Sequence, residues 1–420
     1  MRLASAIDDS TACEICQDEC VGVVVVMRFY YFEEMAMSWR RQQLEVAGDW
    51  NDWIKMRELQ SLARIADDVV RYFSEIVRTR EQATRVWQAV LNTRACCSEL
   101  RIFDDDMVVL AYVLNHFLDR YLRTWVALGR LFDVGVLPMA KNGVSVLDVG
   151  AGPGPSVYAV QDFYDSVRLF GQTMNIPSFA AQQVSIEPVE IVATMLAFQS
   201  SFSEVAGRPG PFHVPVTDFT SLDTQRARAE LRSELESEGV VDENGDFWAD
   251  YTPSEAHNLS QRMHRYRFVI FSNVLTDAEI FEAFSPRIES VFGENSPGMV
   301  GLVMGALGRD FRPRRKAMKE IARNTNMRAL RRLEQVIELP QSSPHQTLIK
   351  GAQYRIFSHL NQLGGVDSAS CSRKSGYPDY WSEVPYARKR LRFSLLALRK
   401  ERPGVRRRRS QRSDRQLDDK

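Results

Sequence analysis

The sequence predicts an α/β protein: a doubly wound sheet preceded by an all-helical N-terminal domain. Three observations carry this. No proline occurs between Met1 and Leu137, and helix formers dominate that third. Residues Ser145 to Ser156 then read S-V-L-D-V-G-A-G-P-G-P-S, a short β-prone run broken by closely spaced glycines. After it, strand-like and helix-like segments alternate, the pattern of a sheet with helices on both faces.

In order, residues 1–26 are small, acidic and Cys-bearing, and read as a mobile leader or a start-site extension. Residues 27–140 form the helical domain. Trp39–Val46, Trp50–Ala63, Ile65–Thr79, Arg80–Asn92 and Asp106–Phe132 read as its helices. In the last, Leu114, Leu118, Leu122, Trp125 and Leu128 recur at three- and four-residue steps. Asp104, Asp105 and Asp106 suit its positive N-terminal end. Pro138 and Gly143 place a boundary near 138–144. Residues 141–399 form the sheet domain. Its strands are expected at Ser145–Val149, Gln183–Ile186, Phe212–Val216, Arg267–Phe271 and Gly298–Met304, with a terminal pair at Gln353–Ser358 and Leu391–Leu398. Arg314–Glu338 reads as a long basic helix. An insertion at 225–265, charged and bearing Phe247, Trp248 and Tyr251, suits either a lid or a helical hairpin of no catalytic use. Residues 400–420 read as a basic disordered tail: between Arg399 and Arg415 nine Lys or Arg face only Glu401 and Asp414.

Composition is that of an ordinary globular chain of 420 residues, 44% hydrophobic and 26% charged. Formal net charge is +0, so the whole molecule has no field that announces a polyanionic partner. Val21–Met27 and Met107–Leu114 are the longest apolar runs, well below the roughly 20 residues of a membrane span. Asp8 and Asp9 stand where a signal peptide would be apolar, so a cytoplasmic protein without membrane contact is expected. Cys13, Cys16 and Cys20 are too few for a structural zinc site. Cys96 and Cys97 suit helix packing, so no metal is expected.

The chemistry centres on Asp148, Gly150, Ala151, Gly152 and Gly154. Glycine lets a ligand approach bare backbone, and the following helix start offers N–H donors. The spacing is G-x-G-x-G. It is neither the G-x-G-x-x-G of dinucleotide sites nor the G-x-x-x-x-G-K-[ST] of P-loops. Glu187, followed by Pro188, ends the second strand, where one carboxylate can bind two ribose hydroxyls. Asp218 and Phe219 follow the third strand, although Asp there is also an ordinary helix cap. Phe271–Leu275, F-S-N-V-L, ends the fourth and contributes Ser272 and Asn273. His213, His257 and His264 fall near the site edge with no pattern of a general base.

The stretch around Asp148 and the three glycines resembles motif I of the class I S-adenosylmethionine-dependent methyltransferases. The resemblance extends over about Ser145–Leu398. It implies a seven-stranded methyltransferase sheet and S-adenosyl-L-methionine as cofactor. It also implies that the glycines line the cofactor's amino-acid end, that Asp148 helps hold its amino group, and that Glu187 binds its ribose. Asp218 would accept from the adenine amino group, and Phe219 would pack on the ring. Asn273 would face the methyl group or hold backbone. The segment Ala111–Trp125, A-Y-x-x-N-H-F-L-D-R-Y-L-R-T-W, lies ahead of D-V-G-A-G-P-G. This layout is similar to the ribosomal small-subunit methyltransferase-like family linked to mitochondrial ribosome assembly. That family carries a downstream cysteine cluster, whereas only Cys371 follows motif I here. The expected activity is methyl transfer to a small molecule or RNA, with RNA contact through the basic tail. The alternative is a cofactor-binding RNA or ribosome-assembly protein on the same fold without turnover.

Overall fold

A computed structural model describes residues 40–96, 103–140, 143–209, 219–221, 266–272, 274–276, 278–294, 298–305, 311–340, 343–366 and 390–400. The leader at 1–26, the strand at 212–216, Asp218, the 225–265 insertion, Asn273, the Cys13–Cys20 cluster and residues 401–420 of the tail lie outside them.

After helical residues 40–45, three helices precede the sheet: α1 (Ala47–Ile76), α2 (Arg80–Cys96) and α3 (Asp106–Asp133). α1 is one helix where the sequence suggests two. Arg64, at the expected break, is a good helix former and nothing there stops propagation. Asp105 caps α3, its carboxylate accepting from the Met107 N–H at 2.8 Å.

The strands are β1 (Val144–Val149), β2 (Val184–Val189), β3 (Phe268–Ser272), β4 (Val300–Gly305), β5 (Met327–Ala329), β6 (Gln335–Pro340) and β7 (Arg390–Lys400). Between them run α4 (Pro155–Thr173), α5 (Ala193–Ala206), α6 (Ala278–Glu294), α7 (Phe311–Asn324) and α8 (Pro344–Gln362). The sheet has seven strands in the order β2-β1-β3-β4-β7-β5, and β6 pairs with the other half of β7. β2, β1, β3 and β4 are parallel, and β7 is antiparallel to β4, β5 and β6. The C-terminal ends of the four parallel strands therefore share one edge, where an α/β sheet binds ligands.

Two expectations are corrected. Gln353–Ser358 belongs to α8, not to a strand. Ser343 caps that helix, Pro344 opens it, and Ile349, Ala352, Gln353, Ile356 and Leu360 are buried at helical spacing. The stretch 314–338 is not one helix. α7 ends at Asn324, Asn326 turns the chain at φ 56°, and β5 and β6 follow as partners of β7. The β-prone V-I-E-L at 336–339 outweighs the helical charge pattern before it.

Side chains alternate across the sheet with period two. Val144, Val146, Phe268, Ile270, Phe393 and Leu395 pack into the core on one face. Leu147, Val149, Val269, Phe271, Leu396 and Leu398 pack into the core on the other, under α6 and α7. The N-terminal helices share the first core. Trp50 of α1 stacks on Phe132 of α3 with ring centroids 4.1 Å apart and meets Phe163 and Phe170 of α4 edge-on. A buried polar knot joins the same elements. Asp162 of α4 accepts from Tyr121 Oη at 2.7 Å, from Arg208 Nη1 at 2.9 Å, and from Arg64. Arg208 also donates from Nε to Asp68 of α1 at 3.0 Å. Burial and the Asp162 charge raise Tyr121 well above the ordinary phenol range.

Candidate functional site

β1 delivers Asp148 and Val149 to the ligand-binding edge, and the chain turns at once through Gly150, Gly152 and Gly154. All three have positive φ, at 65°, 59° and 83°. That region disfavours side chains and explains the residue type. At Gly150 space decides as well, since a Cβ there would lie 2.6 Å from Val274 Cγ2. A Cβ at Gly152 would meet nothing closer than Met195 Sδ at 3.7 Å, so the middle of the turn has room beside it. Pro155 then opens α4, its fixed φ suiting the first helical position.

Asp148 is fully buried. Ser156 on α4 donates to its Oδ2, while Oδ1 has no hydrogen-bond partner among the described residues. Burial pushes its carboxyl up to about 7; the Ser156 hydroxyl pulls it down, and the Glu190 charge adds to the rise. An unpaired, buried carboxylate oxygen is costly unless a donor arrives.

The middle of the turn is held from two sides. Glu190 Oε2 accepts from the Gly152 N–H at 2.7 Å, and its Oε1 accepts from the Val192 N–H at 3.0 Å. Gln199 of α5 donates from Nε2 to the Gly152 carbonyl at 2.5 Å, and its Oε1 is buried without a partner among the described residues. Burial raises the Glu190 carboxyl, against these backbone donors and Arg120, which lower it.

The structure places the expected residues unevenly. Asp148, Gly150, Ala151, Gly152 and Gly154 form the turn. Pro188 is the β2 residue opposite Asp148 in register, and Ser272 is buried at the end of β3. Glu187 lies deeper in β2, opposite Leu147, and accepts from Tyr266 Oη at 2.5 Å. The acid that reaches the turn is Glu190, three residues later. Phe219 is 2% exposed and packs edge-on against Phe271 and Phe284, with centroids 6.0 and 5.0 Å away.

Sequence reasoning missed Glu190 and Gln199. For Glu190 the strand end decides: β2 runs to Val189, beyond the expected Ile186, and the Val189 carbonyl accepts from the N–H groups of Gly150 and Ala151. The next residue necessarily meets the turn. Ile191 follows it and is 57% exposed, a large apolar side chain standing open beside the site. No group of three or more His, Cys, Asp or Glu able to hold a metal occurs among the described residues. No helix among them is long and apolar enough to cross a membrane.

No protein-family model matches the chain, and no curated protein does. Solved structures similar to it include S-adenosylmethionine-dependent methyltransferases. One, from Geobacter sulfurreducens in complex with S-adenosylhomocysteine, is 12% identical, with 67% of this chain and 90% of that one covered at a TM-score of 0.31. A second, a putative sarcosine dimethylglycine methyltransferase from Galdieria sulphuraria, is 14% identical, with 67% and 86% covered at 0.32. A third, the YcgJ protein of Bacillus subtilis, is 11% identical, with 66% and 99% covered at 0.32.

Proposed function

We propose that the chain is an S-adenosylmethionine-dependent methyltransferase. One observation carries the reading: a three-glycine turn at the binding edge of the sheet with two buried carboxylates on it. Asp148 keeps one oxygen unpaired, and Glu190 grips the turn itself. A cofactor bearing both an ammonium group and a sugar diol suits this donor set. Asp148 Oδ1 would accept from the ammonium, relieving the cost of its burial. Glu190 has lone pairs left for ribose hydroxyls after its two backbone bonds. It takes the place expected of Glu187 and Pro188, and the exposed Ile191 offers an apolar face to a flat ring. Ser272, with Asn273, Asp218 and Phe219, is proposed to complete the adenine and methyl side of the site.

The bound sulfonium would supply an already electrophilic methyl group. The protein's work is to hold the acceptor in line with it and exclude water, which can contribute several kcal/mol. The turn is suited to this, because Gly152 is fixed at both its N–H and its carbonyl. A general base is needed only for an acceptor that starts protonated.

For the acceptor, a basic face supports RNA over a small molecule. Residues 311–334 carry nine Lys or Arg against Glu320 and Glu334. Arg315 and Lys319 of α7 both bind Glu334, which brings α7 beside Arg331 and Arg332. Lys316, Arg323, Arg331 and Arg332 are exposed, with no ion pair among the described residues. Such cations are free to bind phosphate. The test is transfer of a labelled methyl group from S-adenosylmethionine into host-lysate fractions. Label in RNA is expected. Label in small molecules alone would remove the RNA reading, and label in no fraction would favour a binding protein without turnover.

A further inference from the structure

Arg120 lies on α3, and three other arginines on or beside that helix are ion-paired. Arg123 is bound to Asp119 at 2.6 Å, and Arg64 and Arg208 share Asp162. Arg120 is half-buried, and its guanidinium makes no hydrogen bond or ion pair among the described residues. Its guanidinium lies 4.8 Å from the centroid of the Tyr112 ring. That ring is braced edge-on by Phe103 at 5.3 Å and by His116 at 5.0 Å. The carbonyl of Phe103 accepts from the Thr194 hydroxyl at the start of α5, four residues beyond Glu190. The brace therefore ties Arg120 to the segment that carries Glu190. The Arg120 charge is also felt at the Glu190 carboxyl, which it lowers. A guanidinium held on an aromatic face, partly desolvated and with no ion pair among the described residues, is prepared for an anion.

We propose that Arg120 is an anion-binding residue of the glycine-turn site and takes the carboxylate of the amino-acid part of bound S-adenosylmethionine, with Tyr112 holding it in position. The inference rests on the methyltransferase reading. It adds a cation for the carboxylate, as Asp148 accounts for the ammonium. A planar, forked donor also suits a carboxylate better than a lysine would.

The test is calorimetric titration with two ligands. S-adenosylhomocysteine carries the carboxylate; 5′-methylthioadenosine has the same nucleoside without the amino-acid part. For Arg120→Gln, affinity for S-adenosylhomocysteine should fall at least tenfold, while affinity for methylthioadenosine stays within twofold of wild type. Tyr112→Leu should weaken only S-adenosylhomocysteine and add little in the Arg120→Gln background. Arg120→Gln binding S-adenosylhomocysteine as wild type does would overturn the inference while leaving the methyltransferase reading intact. Equal loss of both ligands would also overturn it, showing a structural role. Failure of the wild type to bind S-adenosylhomocysteine would overturn the underlying reading itself.

Discussion

Replacing Asp148 by asparagine should make the protein more stable and bind its ligand less well. The folded carboxyl sits at about 7 against an ordinary value of 3.8. Because the folded value is raised, the unfolded chain loses this proton first as pH rises. Stability therefore falls between about pH 4 and about pH 7 and then levels. A displacement of about 3 units corresponds to an upper bound on the order of 4 kcal/mol. The asparagine of the variant has no proton to lose, and its amide oxygen can still accept from Ser156. Urea melts from pH 4.5 to 8 read the difference directly. The two proteins should nearly coincide at the acid end, and the variant should be the more stable at pH 8. S-adenosylhomocysteine should show the opposite order. Its ammonium needs the ionised carboxylate, so wild-type affinity should rise up to about tenfold per unit as pH approaches 7. Asp148→Asn should bind weakly at every pH. Parallel melting curves, or a wild type more stable at pH 8, would refute the reasoning about the orphaned oxygen.

Two further outcomes follow from the same geometry. Glu190→Ala leaves the N–H groups of Gly152 and Val192 without their acceptor, at about 1–3 kcal/mol for each buried donor. The melting temperature should fall and S-adenosylhomocysteine affinity drop at least tenfold; unchanged affinity would remove Glu190 from the site. Asp162→Asn weakens the buried knot of Arg208, Arg64 and Tyr121, and a loss of about 3–5 kcal/mol is expected. A loss below about 1 kcal/mol would show that the helices and sheet do not depend on that knot.

What could be read from the chain beforehand, and what could not, has physical causes. The β1–turn–α4 unit was legible because positive φ at three alternate positions strongly favours glycine. The helical third was legible because proline is absent and the apolar spacing of α3 is regular. Glu187 stands at a sequence-level strand end because Pro188 lacks an N–H. The strand continues to Val189, and Glu190 just beyond it is the residue that accepts from the Gly152 N–H. The last strands were misread where local signals conflict. Gln353–Ser358 has a strand's composition yet follows a Ser-Pro helix start. The charges of 314–324 hid the short β5 and β6 behind them. Gln199 and Arg120 had no signal in sequence, since each acts on the site from a helix through tertiary packing alone.

The central claim is that the glycine turn binds the methyl donor, and titration of the full chain with S-adenosylhomocysteine tests it most directly, alongside Gly152→Asp. At Gly152 a side chain has room but must adopt φ 59°, at a cost of about 1–2 kcal/mol. An aspartate there places a third carboxylate beside Asp148 and Glu190, in the space proposed for the ligand. One-to-one binding to the wild type, abolished in a folded Gly152→Asp variant, is the expected result. No binding to the wild type, or equal binding to both proteins, would contradict the account.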